Sequence, residues 1–147
     1  MSSYFDTSFL VSLYSPDANS RAAVQSLNQV AGALLITTFA EFEFVNAMGL
    51  RVFRKEISDT AAHSSLDHFE EDLRNGVLQL VPLPEQLFGR GRELSRRTTH
   101  RLGTRAADLL HVAAALELGC NTFLSFDGQQ RQLARSRKLR LNPLPAK

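Results

Sequence analysis

Short apolar runs alternate along this chain with longer stretches in which apolar positions recur every three or four residues, the period of an amphipathic helix. Ser3–Asp6 reads as a short buried strand, ended by Thr7 and Ser8, residue types that open helices. Ser15-Pro16-Asp17 predicts a helix start, with Ser15 as N-cap and Pro16 in the first turn. That helix should run to about Val30, with Ala22, Ala23, Leu27 and Val30 on one side. Leu34–Thr37 predicts a second strand. A long helix should then reach from Thr38 to about Arg54, with Arg51, Arg54 and Lys55 loading its C-terminal end. Ser58 should cap another helix, ended near Arg74 by Asn75-Gly76. Val77–Val81 predicts a third strand, turned by Pro82 and Pro84. A basic helix from Glu85 to about Thr99 and a Gly103 break follow, then a helix capped by Thr104 and running to Leu118. A strand at Thr122–Phe126, a short helix at Gly128–Arg135 and a last strand at Leu139–Leu141 complete the pattern.

Short apolar strands separated by helices imply crossover connections, hence a parallel sheet buried on both faces. The expected architecture is a three-layer α/β/α sandwich around a central parallel sheet of four to five strands. With 147 residues, no internal repeat and no linker-like stretch, residues 1–147 fit one domain.

Composition narrows the function classes. Hydrophobic residues are 44% and charged residues 22%, ordinary globular values that exclude a disordered or collagen-like chain. Cys120 is the single cysteine, so an intramolecular disulfide and a multi-cysteine zinc site are both excluded. A reducing, cytoplasmic setting is expected. The longest apolar or small run, Val30–Ile36, falls short of the ~20 residues a membrane-spanning helix needs. No Lys or Arg precedes the short N-terminal apolar stretch, unlike a signal peptide.

The formal charge of +2 conceals a segregation. Residues 1–89 hold five Lys/Arg against eleven Asp/Glu, whereas residues 90–147 hold twelve against four. The basic half contains Arg90, Arg92, Arg96, Arg97, Arg101 and Arg105, and later Arg131, Arg135, Arg137, Lys138 and Arg140. A solvated helix face accounts for one such run, but two, dominated by arginine, point to a polyanion partner.

In parallel sheets, ligands bind beyond the carboxyl ends of the strands. Asp6 ends the first strand and Asp127 the fourth, though each can equally serve as a helix N-cap. Asp108 lies in the apolar stretch Ala106-Ala107-Asp108-Leu109-Leu110, where an acid needs a helix N-terminus, a nearby Arg105 or Arg101, or an ion. On the long helix, Glu41 and Glu43 point in nearly opposite directions at about 100° per residue. Glu43 shares its stripe with Asn46, Ala47 and Leu50, which leave room for a hydrated ion. Glu41 sits with Phe44, Val45 and Met48, so Glu43 is the pocket candidate. Gathered without counter-charge, four carboxylates would repel one another, and a hard divalent cation removes the conflict. His63, His68, His100 and His111 show no zinc-ligand spacing. His111, three residues after Asp108, either orients that carboxylate or is a satisfied buried side chain.

Four segments together resemble the PIN domain family. Tyr4-Phe5-Asp6-Thr7-Ser8 resembles its opening, and Glu43-Phe44-Val45-Asn46-Ala47 its second motif. Arg105-Ala106-Ala107-Asp108-Leu109-Leu110-His111 with the following Val112–Ala115 is similar to its third. Phe123-Leu124-Ser125-Phe126-Asp127, followed by Leu133-Ala134, is similar to its fourth. The short length points to the VapC-like toxins of toxin–antitoxin pairs. The resemblance implies a Mg²⁺- or Mn²⁺-dependent endoribonuclease acting on an RNA substrate, usually a homodimer, silenced by a cognate antitoxin protein. Carried over by position, Asp6 and Asp108 are the principal metal ligands, Glu43 completes the acidic pocket, and Asp127 ligates directly or through water. Thr7, Asn46 and Ser125 are supporting polar groups. Ser125 stands where the family more often has threonine, which keeps the hydroxyl.

Hydrolysis in such a site needs an in-line water and relief of phosphoryl charge, with Glu43 orienting the water or taking its proton. Arg90, Arg92, Arg96, Arg97, Arg101 and Arg105 would track the RNA backbone. The alternative is a PIN-fold module that grips RNA or protein without cutting. A haloacid-dehalogenase-type phosphatase is disfavoured, since Ser8 stands where it needs a second acid. The apolar surplus across Phe39–Phe53 fits a dimer seam, an antitoxin groove or the core.

Overall fold

A computed structural model describes residues 1–146, so Lys147 of the expected domain lies outside the described residues. The strands are β1 (Ser2–Phe5), β2 (Ala33–Thr37), β3 (Gln79–Val81), β4 (Thr122–Leu124) and β5 (Arg140–Leu141). The helices are α1 (Thr7–Tyr14), α2 (Ser20–Gln29), α3 (Thr38–Phe53), α4 (Asp59–Arg74), α5 (Gln86–Leu102), α6 (Ala106–Glu117) and α7 (Gly128–Ser136). All strand pairs are parallel, in the order β3-β2-β1-β4-β5. Five strands between two helical layers make the expected α/β/α sandwich.

Side-chain alternation along the strands builds the two interfaces. Tyr4, Leu35 and Phe123 face the layer of α5, α6 and α7, where they meet Leu87, Leu94, Val112 and Leu133. Their neighbours Phe5, Ile36 and Leu124 face α1, α3 and α4, against Phe9, Leu10, Phe44 and Phe69. A strand buried on both faces explains why β2 reads as a continuous apolar run rather than an alternating one.

Three local expectations are corrected. The helix expected from Ser15 starts at Ser20, and a separate helix, α1, precedes it. Ser15 ends α1 instead, its N–H donating to the Val11 carbonyl. Asp17 captures the nearby donors, Ser12 Oγ at 2.9 Å and the Asn19 N–H at 2.8 Å, which holds the segment as a turn and delays α2. The cap of α6 is Arg105 rather than Thr104, because Asp108 reaches back to the Arg105 N–H at 2.9 Å. The strand expected to reach Phe126 stops at Leu124, where the Ser125 N–H turns to the Asn142 side chain at 2.8 Å. The Ser58 cap and the Gly103 break stand as expected, Gly103 adopting the left-handed conformation that ends α5.

Candidate active site

From the central strand β1 the chain adds strands first on one side, through β2 and β3, and then on the other, through β4 and β5. The connections after β1 and β4 therefore leave the sheet toward opposite faces and open a crevice at its carboxyl edge. Asp6 follows β1 there, and Ser125-Phe126-Asp127 follow β4.

Asp6 is 0% exposed. Its carboxylate caps α1 by accepting the Phe9 N–H at 2.9 Å, and it also accepts Ser8 Oγ at 2.7 Å and Ser125 Oγ at 2.5 Å. Burial pushes the Asp6 carboxyl above its ordinary range, partly offset by these donors. Ser125 Oγ also accepts the Asp127 N–H at 3.0 Å, so one hydroxyl joins Asp6 to the Asp127 backbone. Asp127 caps α7 through the Gln130 N–H at 2.9 Å.

Glu43 projects from α3. Its Oε1 accepts Thr7 Oγ at 2.7 Å and pairs with His111 Nε2 at 2.5 Å. Burial raises the Glu43 carboxyl, but the bonds from His111 and Thr7 outweigh it and hold the group below its usual value. Asp108 sits one turn before His111 on α6 and is buried, its Oδ2 committed to the Arg105 N–H. Of the two readings of His111, the structure shows the satisfied buried side chain: Asp108 turns back to cap its own helix, and His111 reaches across to α3. Glu41 and Asn46 make no side-chain hydrogen bond among the described residues, and Asn46 is exposed. The structure thus forms two hydrogen-bonded groups, Asp6 with Ser125 and the Asp127 N–H, and Glu43 with Thr7 and His111, which meet where Asp6 and Thr7 adjoin in the chain, with Asp108 at the head of the helix that supplies His111.

The basic residues divide. Arg92, Arg96, Arg97, Arg101 and Arg105 are exposed, while Arg90 is engaged by Glu117 at 2.7 Å. Arg131, grouped by sequence with the polyanion-facing arginines, is only 9% exposed. Its Nη1 lies 2.8 Å from the Ser125 carbonyl, 2.9 Å from the Asn142 carbonyl and 3.1 Å from Asn142 Oδ1. It ties the Ser125 loop to the chain after β5. Nothing in a run of basic residues distinguishes such an inward arginine from its solvated neighbours. Replacing Arg131 with Met should cost about 1–3 kcal/mol for the acceptors left unpaired, read as a lower denaturation midpoint.

The donor set suits a hard cation in kind. It consists of carboxylates alone, and Glu43 Oε2, Asp108 Oδ1 and Asp127 Oδ2 accept no hydrogen bond among the described residues. None of the four acids pairs with Lys or Arg there. Three of them are turned onto helix N-termini, and among the described residues no three His, Cys, Asp or Glu side chains already converge closely enough to hold an ion.

The PIN domain family pattern matches residues 3–136. The chain belongs to the PIN domain family. Solved structures agree with this PIN domain in fold. VapC20 of Mycobacterium tuberculosis, described as a toxin cleaving the sarcin–ricin loop, is 19% identical with a TM-score of 0.69, over 97% of this chain and 99% of its own. VapBC2 of Rickettsia felis, bound to a DNA fragment from its promoter, is 17% identical with a TM-score of 0.70, over 99% and 100%. FitAcB of Neisseria gonorrhoeae is 15% identical with a TM-score of 0.66, over 96% of each chain. Comparison of the sequence with curated proteins finds no match. No helix among the described residues is long and apolar enough to cross a membrane.

Proposed function

We propose that this PIN domain, spanning residues 1–147, is a divalent-cation-dependent endoribonuclease of the cytoplasm, the toxin of a toxin–antitoxin pair. The observation that carries the proposal is the buried Asp6 carboxylate in the switch-point crevice, joined through Ser125 to Asp127 and flanked by Glu43 on Thr7. The similarity in fold to a toxin that cleaves the sarcin–ricin loop and to toxin–antitoxin proteins supports it.

Asp6, Asp108 and Asp127 would hold Mg²⁺ or Mn²⁺, which when bound relieves charge on the phosphoryl oxygens and lowers the pKa of water. Ser8 and Ser125 hold the Asp6 carboxylate in place. Glu43, with Oε1 occupied, presents Oε2 to orient a water or accept its proton. Exposed arginines of α5 line the RNA path. On α3, Phe44 and Met48 enter the core, but Phe42 is 71% and Phe53 84% exposed. That bare face supports a protein partner, a second copy of the chain or the antitoxin.

Purified protein with structured RNA should cleave only with Mg²⁺ or Mn²⁺, and sequencing the cut ends would identify the target. Changing Arg96, Arg97 and Arg101 to Ala should weaken RNA binding and flatten its salt dependence by up to about 0.7 log units per lost phosphate contact. An unchanged slope would remove these residues from the RNA path. One observation favours a non-catalytic binding module: three acids are already engaged as helix caps. Calorimetric titration with Mn²⁺ separates the two, since only the nuclease requires an Asp6-dependent site.

A further inference from the structure

We propose that His111, anchored by Tyr4, is the positioning residue for Glu43, fixing its carboxylate so that one oxygen stays free toward the crevice. The inference rests on the nuclease reading for its catalytic meaning, and on geometry for the arrangement itself.

His111 is 1% exposed, and both ring nitrogens are engaged. Nδ1 lies 2.8 Å from Tyr4 OH, and Nε2 lies 2.5 Å from Glu43 Oε1. Tyr4 OH in turn lies 3.1 Å from Thr37 Oγ1, which already accepts the Ala40 N–H at the head of α3. One assignment uses every hydroxyl hydrogen once. Thr37 donates to Tyr4, Tyr4 donates to Nδ1, and the ring carries its proton on Nε2 and donates it to Glu43. The ring is walled by Phe39, with centroids 5.3 Å apart, and by Tyr4 at 5.8 Å, so it has little room to turn.

Glutamate is long and loses considerable rotamer freedom when fixed. Here two donors, Thr7 Oγ and His111 Nε2, converge on the same oxygen, Oε1, and Oε2 is left without a protein partner. Both anchors flank Asp6 in the chain: Tyr4 lies on β1 two residues before it, and Thr7 opens α1 one residue after. The ring itself stands on α6, one turn beyond Asp108. A single imidazole therefore ties the placement of Glu43 to the elements bearing two other acids, which a surface glutamate on α3 would lack.

Two substitutions divide the imidazole's bonds. His111→Gln can place an amide N–H near the Nε2 position and restore the bond to Glu43. His111→Asn reaches only the Nδ1 position and leaves Glu43 unheld. With Mg²⁺ and RNA, His111→Asn should lose about 10–100-fold in kcat, the scale for partners that orient a site's first ligands, with KM little changed. His111→Gln should recover most of that loss. Equal losses in two folded variants would overturn the proposal. The second measurement needs no activity. Nitrogen-15 spectra of wild type should show His111 protonated on Nε2, with a downfield Hε2 resonance that moves in Glu43→Gln. A ring protonated on Nδ1 alone, or an Hε2 signal indifferent to Glu43→Gln, would overturn the arrangement. Wild type that never cuts RNA would instead defeat the nuclease proposal while these spectra still decide the role of His111.

Discussion

Asp6→Asn should abolish cation-dependent RNA cleavage while leaving the protein at least as stable as wild type at neutral pH. The two effects share a cause. Asp6 is fully buried, its contacts are hydroxyl and amide donors, and no Lys or Arg pairs with it among the described residues. An ionised carboxylate there is costly, which is why its folded pKa lies above the ordinary 3.8. A group with a raised folded pKa contributes stability that is fully present below its unfolded pKa and lost as pH rises through the folded value. Once pH exceeds that folded value, wild type has lost the contribution. Asparagine still caps α1, since Asn and Asp are comparable N-caps, but it carries no charge to desolvate. Thermal melts should show the variant at or above wild type at pH 7, with wild type gaining on it as pH falls toward 3.8. Loss of cleavage should exceed the ~10–100-fold typical of outer partners of a metal site. Equal cleavage would reject the site, and a markedly lower melting temperature at pH 7 would reject the electrostatic account.

Phe44→Ala should give the largest loss of stability among single core truncations on the α3 face. Phe44 is fully buried, with ring centroids 4.9 Å from Phe69 and 5.9 Å from Tyr14. Truncation removes the contacts that hold α3 and α4 together and leaves a cavity between rigid rings, at a cost of about 3–5 kcal/mol. For a chain of this size that corresponds to a melting temperature lower by roughly 10 °C. Phe42, two residues earlier but exposed, is the control, and its change to Ala should alter stability by no more than about 0.5 kcal/mol. A similar cost at both positions would contradict the assignment of faces on α3. Because α3 also carries Glu43, the Phe44 variant should lose activity in step with its folded fraction rather than ahead of it.

Much of the fold was legible because its signals are local. Strands buried on both faces leave continuous apolar runs, and the caps at Ser58 and Gly103 act within a few residues of themselves. The early helices were misread for an equally local reason: Ser15-Pro16 carries the composition of a helix start, yet Asp17 spends its oxygens on Ser12 and Asn19 and makes a turn. Helical periodicity sets Glu41 and Glu43 on different sides of α3, and it is Glu43 that carries bonds to Thr7 and His111.

The sequence by itself determined the alternation of elements, the acids at strand and helix ends, and the PIN family, since each is written in neighbouring residues. Only tertiary structure decided that His111 serves Glu43 rather than Asp108, and that Arg131 turns inward to the Ser125 loop instead of outward to a polyanion. Those partners lie 68 and 6 positions apart, and their meeting depends on how α6 and α7 settle against the sheet. Hydrogen-bond direction is set by packing in three dimensions, which spacing along the chain does not encode.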